Sequence, residues 1–179
     1  TISSLRGNAK AVQCGDYLLG RAMENLKFFR GTGINEHLAE VSREMCLGEL
    51  QQQRIRYDYA AQNRDIYFEM IDRKTGLLLG ASCLAGALAG GMDKAGAQLL
   101  CRFGRTLGRA FQLRDDLLDL FPGEQIGKEP FRDLENGLMT LPLLVLAERE
   151  GSGFIAQFLE KRRLGPPEKD VLLQRLLES

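Results

Sequence analysis

The sequence predicts an all-α protein. Apolar residues recur every three to four positions through most of its 179 residues. No stretch alternates with period two for long enough to make a strand. The strongest breakers, the pairs Gly90-Gly91, Pro122-Gly123 and Pro166-Pro167, stand between the periodic runs. Residues 9–29 set Val12, Leu18, Leu19, Ala22, Leu26 and Phe29 on a helical period, and Gly31 and Gly33 end the run. Residues 35–56 form the second helix, with Asn35 as the expected N-cap and Glu36 and Glu40 in the early turns. The third helix runs over 65–90 and closes at Gly90-Gly91. Asp93 opens the fourth, about 93–121, which Pro122-Gly123 stops. A polar loop, GEQIGKEPFRDLENG, leads to a helix over 138–149 that tolerates Pro142. Amphipathic pieces at 152–163 and 167–178 complete the chain. No repeat or low-complexity tract interrupts this order, and the whole is read as a single domain, complete or partial.

Composition excludes several classes. The 24 basic and 24 acidic residues balance, so there is no overall excess of charge for nucleic acid or an anionic lipid surface. Residues 75–92, TGLLLGASCLAGALAGGM, are uncharged and reach the length of a membrane span. More than half of them are Gly, Ala, Ser or Thr, which favours a close-packed core helix instead. The start, TISSLRGNAK, has no apolar signal core. Cys14, Cys46, Cys83 and Cys101 form no CxxC pair. Each lies in an apolar stretch and is expected in the core of a protein kept in a reducing, cytoplasmic compartment. There is no P-loop, GxSxG or dinucleotide-binding glycine pattern. Lone His37 has no partner pattern, and Asp16, between apolar helix residues, is expected to be buried and hydrogen-bonded.

The chemistry-bearing stretch is FQLRDDLLD, residues 111–119. On a helix Asp115 and Asp119 lie one turn apart on one face, Asp116 is about 100° round, and Gln112 precedes Asp115 by most of a turn. Phe111, Leu113, Leu117 and Leu118 crowd the same segment, which argues against an ordinary solvated acidic face. Carboxylates this close repel unless a cation joins them, and hard oxygens at this spacing suit Mg²⁺ shared with a substrate phosphate. Lys74-Thr75 stand at the mouth of the uncharged stretch, and Lys128 follows a glycine in the loop. Either lysine could reach an anion. Met45, Gly48, Glu49 and Gln52 share one side of the second helix and read as packing. Arg102, Arg105 and Arg109 read as a solvated face.

Taken in order, GDYLLGRA (15–22), MCLGELQQ (45–52), KTGLLLGASC (74–83), GRAFQLRDDLLD (108–119), GKEPFRDLENG (127–137) and MTLPLL (139–144) resemble the trans-polyprenyl diphosphate synthases. The resemblance implies an isoprenoid-synthase-type helical bundle around an apolar tunnel. It implies a prenyltransferase that condenses isopentenyl diphosphate with an allylic prenyl diphosphate. By this match Asp115, Asp116 and Asp119 are Mg²⁺ ligands, directly or through water. Lys74 and Lys128 contact the allylic diphosphate, and Thr75 and Gln112 line the reacting centre. A homodimer is expected, with a heteromer as the alternative. Two departures stand out. No second DDxxD occurs in the sequence, and TISSLRGN resembles the segment that follows the family's first aspartate-rich motif. The chain is therefore expected to be the C-terminal portion of a synthase, lacking the N-terminal helices, with these residues alone not competent. Leu138 also replaces a lysine common in the family. The alternatives are a non-catalytic synthase-like subunit or a prenyl-chain-binding regulatory homologue. A terpene cyclase is less favoured by the Gly127-Lys128 loop and Thr140-Leu141-Pro142.

Overall fold

A computed structural model describes residues 2–121 and 130–178, and no strand occurs among them. The order is α1 (Ile2–Arg6), α2 (Asn8–Leu26), a 3₁₀ turn (Lys27–Phe29), α3 (Ile34–Ile55), α4 (Arg64–Ile71), a π-helical turn (Asp72–Gly76), α5 (Leu77–Ala89), α6 (Lys94–Leu120), α7 (Arg132–Glu135), α8 (Leu141–Glu150), α9 (Ser152–Leu159) and α10 (Pro166–Leu177). Among the described residues no helix is long and apolar enough to cross a membrane.

Local chemistry explains most boundaries. The Asp93 side chain accepts from the Gly96 amide at 2.7 Å and starts α6. Asn63 does the same for α4, from Ile66 at 3.0 Å. Pro142 lies in the first turn of α8, where a missing amide proton costs nothing. The start of α3 departs from expectation. Its N-cap is Gly33, in the left-handed region, and the Asn35 side-chain oxygen is buried without a hydrogen-bond partner among the described residues. The expected single helix at 65–90 is also divided, by the π turn.

The main core joins α4, the end of α6, and α7 to α10. Phe131, Leu134, Leu143, Leu146, Ile155 and Leu172 are fully enclosed there, each contributing about 1.5–3 kcal/mol of apolar burial. The strand-free segment 131–140 docks on the α3–α4 connection through Gln62. Its Nε2 donates to the carbonyls of Ile55 and Gly137, each at 3.0 Å, and its Oε1 accepts from the Met139 amide at 2.7 Å. Gly137, at φ +82°, is required there, because an added Cβ would sit 2.7 Å from Tyr57. Elsewhere α5 packs closely along α6.

Three expectations of burial fail. None of the residues of α2 is buried, and Val12, Leu18 and Leu19 are exposed, as is Asp16. Phe111 and Leu117 are also exposed, and Phe111 continues a row on α6 with Leu99, Phe103 and Leu107 at i, i+4 spacing. Cys14 and Cys46 are exposed, and Cys83 and Cys101 are half-buried. Periodicity identifies the apolar face of a helix, not what covers it.

Candidate active site

A cleft forms where α3, α4, the π turn and α6 meet the 131–140 segment, lined by Gln52, Tyr67, Met70, Lys74, Gln112, Asp116, Asp133 and Thr140, among others. Its centre is a chain of hydrogen bonds. Thr75 Oγ1 donates to Gln112 Oε1 at 2.8 Å, Gln112 Nε2 donates to Asp116 Oδ1 at 2.9 Å, and Tyr67 Oη donates to Asp116 Oδ2 at 2.6 Å. Asp116 and Gln112 are buried, and each oxygen of Asp116 accepts from a protein donor. Burial, the bond to Asp116 and its charge push the Tyr67 hydroxyl well above the ordinary tyrosine range, so it remains a donor.

Of the predicted residues, the structure brings Lys74, Thr75, Gln112 and Asp116 to one cleft. Asp115 is exposed and Asp119 half-exposed on α6. The Asp119 carboxylate accepts from the Asp133 amide at 3.1 Å, and its carbonyl accepts from the Phe131 amide at 3.0 Å. Lys128 lies outside the described residues. Leu138, in the lysine's expected place, is buried and lines the cleft. Among the described residues, no three carboxylate, His or Cys side chains converge into a ready-made metal cage. The row of arginines is only partly a solvated face, since Arg105 and Arg109 bind Asp72. Met45, Gly48, Glu49 and Gln52 line a groove shared with Met70 and Lys74 rather than simply packing.

Sequence reading missed Tyr67, Asp133 and Thr140. Asp133 faces the aspartates of α6 from a segment distant in the chain. Its signal was an acid directly before Leu134, in a loop that resumes burial. The Thr140 hydroxyl is buried without a hydrogen-bond partner among the described residues, and Thr140 lines the cleft. A buried hydroxyl in that state costs stability unless a ligand or water meets it.

The cleft collects negative charge. Burial raises Asp116, Asp119 and Asp133, and repulsion adds to each, from Asp133 on Asp116, from Asp133 and Asp116 on Asp119, and from Asp115 on Asp133. Lys74 opposes this by favouring the ionised forms of Asp116 and Asp133. Asp119 is pushed from 3.8 to about 6, first by burial, against the bond from the Asp133 amide. Between those values the folded chain binds more protons than the unfolded one. Asp119 therefore reduces stability as pH rises through that window. Asp72 acts oppositely. Burial raises it, but the Arg105 and Arg109 hydrogen bonds outweigh burial and hold it below 3.8. Its stabilisation is present above that value and is lost on acidification. Asp119→Asn is expected to flatten the fall in stability between pH 4 and 6, measured by urea unfolding without divalent metal.

Among the described residues, the helical body sets Asp116 and Asp133 in one cleft with Lys74 and Gln112, the last bonded to Thr75. The chain belongs to the polyprenyl synthetase family, which it matches over residues 1–175. It is 39% identical over 146 residues to heptaprenyl diphosphate synthase component 2 of Geobacillus stearothermophilus, covering 80% of this chain and 45% of that protein. It is 30% identical to solanesyl diphosphate synthase 3, chloroplastic/mitochondrial, of Arabidopsis thaliana, covering 100% of this chain and 42% of that one. The chain thus spans less than half the length of these relatives. The crystal structure of a Caulobacter crescentus polyprenyl synthase complexed with calcium and isoprenyl diphosphate superposes with a TM-score of 0.88 at 32% identity, covering 98% of this chain and 55% of that one. The fold is thus the all-α fold of the isoprenyl synthases, as expected.

Proposed function

We propose that this chain carries one half of the active site of a prenyltransferase that condenses isopentenyl diphosphate with an allylic diphosphate, extending a trans-polyprenyl chain. The observation that carries this reading is the cleft itself. Asp116 of α6 and Asp133 stand with Lys74, and the Thr75–Gln112–Asp116–Tyr67 chain of hydrogen bonds orders the groups between them. The names of the relatives, and the isoprenyl diphosphate in the Caulobacter structure, support the substrate class.

The donor set fits Mg²⁺. Several desolvated carboxylates face one another with too little positive charge nearby, and two carboxylates plus substrate phosphate is the usual way this ion is held. Asp115 and Asp119 are the direct ligands in this reading, and Asp116, oriented by Tyr67 and Gln112, acts through water. When bound, the ion neutralises the charge that develops on a departing diphosphate. Lys74 binds a diphosphate oxygen, and Lys128 would add a second cation. Oxygen atoms of Thr75 and Gln112 face the allylic carbon and stabilise positive charge there. Met70, Ile71, Leu138 and Met139 wall the cleft and exclude water from that cation. Leu138 removes a phosphate contact and extends this apolar wall.

The test is incubation of the native protein with Mg²⁺, isopentenyl diphosphate and allylic diphosphates of several lengths, followed by sizing of the product. Formation of a longer prenyl diphosphate is expected, and no product from any allylic substrate would sink the reading as an independent catalyst. A second reading, a subunit acting with a partner polypeptide, is favoured by the "component 2" in the names of two relatives. Light scattering of the native protein separates a homodimer from a chain that needs a different partner.

A further inference from the structure

The π turn Asp72–Gly76 is held by charge on both flanks. On one side the Asp72 carboxylate, 5% exposed, accepts from Arg105 Nε at 2.7 and 2.9 Å and from Arg109 Nε at 2.7 Å. On the other, Arg73 donates to Gln51 Oε1 of α3 at 2.6 Å and pairs with Glu69 of α4 at 2.9 Å. It also reaches Glu44 of α3 at 3.5 Å. Asp72 and Arg73 do not line the main cleft, whereas the next residue, Lys74, does, and Thr75 bonds to Gln112 at its floor. Burying a carboxylate is costly, and it is tolerated here because two guanidinium groups meet it. π turns occur often at functional sites.

We propose that Asp72 and Arg73 are positioning residues. Together they fix the roll of the π turn about the helix axis, so that the Lys74 ammonium meets the substrate diphosphate and Thr75 meets Gln112. This rests on the function proposed above for Lys74.

The test is a double-mutant cycle in the native protein with Asp72→Asn, Lys74→Gln and both changes together. The readouts are KM and kcat for the allylic diphosphate, and calorimetric binding of inorganic pyrophosphate with Mg²⁺. Asp72→Asn is expected to lower kcat/KM by up to about 100-fold, the scale of a misplacement of about 1 Å. In the Lys74→Gln background the same change is expected to weaken pyrophosphate binding by less than about 3-fold, because the group it positions is already gone. Equal losses in both backgrounds, or a fully active Asp72→Asn enzyme, would overturn the proposal. A fully active Lys74→Gln enzyme would instead overturn the role assigned to Lys74. If Asp72→Asn does not fold, Arg109→Gln, which removes one bond from a half-exposed side chain, takes its place in the same cycle. Non-additive loss is expected there too, and additive loss would overturn the proposal.

Discussion

Replacing Asp115 by alanine is expected to lower prenyl-transfer turnover by about three orders of magnitude while leaving the fold intact. The two halves of this expectation have separate physical grounds. Asp115 is exposed on α6 and contributes nothing to the enclosed core, so its truncation should change stability by no more than about 0.5 kcal/mol. Its charge also raises the Asp133 carboxyl, and removing it relieves that repulsion. The catalytic loss follows from chemistry, because a carboxylate that helps hold a dication against a departing diphosphate acts most strongly as charge develops. Asp119→Ala should differ. That side chain also receives the Asp133 amide, so its loss should lower both turnover and stability. Steady-state transfer of labelled isopentenyl diphosphate, with thermal unfolding of each variant, separates the cases. Near-normal turnover by Asp115→Ala would remove the metal role from this face of α6.

Gly108→Ala is expected to destabilise the protein by about 1–3 kcal/mol and to impair the site as well. On an open helix surface the change would instead stabilise, by about 1 kcal/mol. Here the added Cβ would lie 2.8 Å from the Gly76 Cα and 2.9 Å from the Thr75 carbonyl oxygen. Both obstacles are backbone, so no side chain can swing aside. Relief requires α6 to retreat from the π turn, which carries Lys74 and Thr75 away from Gln112. Urea unfolding and pyrophosphate binding should therefore both weaken. A Gly108→Ala variant as stable as the parent would show that the close approach of these two backbones is not needed.

Helix α6 was legible in the sequence because its signals are local. Asp93 caps it, its apolar period is long, and Pro122-Gly123 follows its end. The spacing of Asp115, Asp116 and Asp119 followed directly from that assignment, whereas Gln112, read as lying on the Asp115 side, bonds to Asp116 instead. The division of α4 from α5 was not legible, because Asp72–Gly76 continues an apparently helical run and its anchors lie 22 and 33 residues away along the chain. Tyr67 and Asp133 were missed for the same reason, since their value lies in what tertiary packing places opposite them. The cysteines and α2 misled in a different way. An apolar neighbourhood in sequence reports composition, whereas burial depends on which surface arrives to cover it.

The π turn also has an arithmetic consequence. An α-helix advances 100° per residue, and a π turn accommodates one residue more than the α-helical path it replaces. The faces of α4 and α5 are therefore out of phase by one residue, although the two helices run nearly end to end. By helical geometry alone, deleting one residue from 72–76 would bring the two helices into a continuous α-helical phase. It would leave two incompatible demands. If α4 kept Tyr67 on Asp116, α5 would turn its Gly80 face away from α6, where a Cβ at Gly80 would already lie 3.0 Å from the Cys101 carbonyl. If α5 kept its packing, Tyr67 would leave the cleft. The extra residue thus acts as a phase shifter, letting one helical rod serve the cleft before it and a packing face after it.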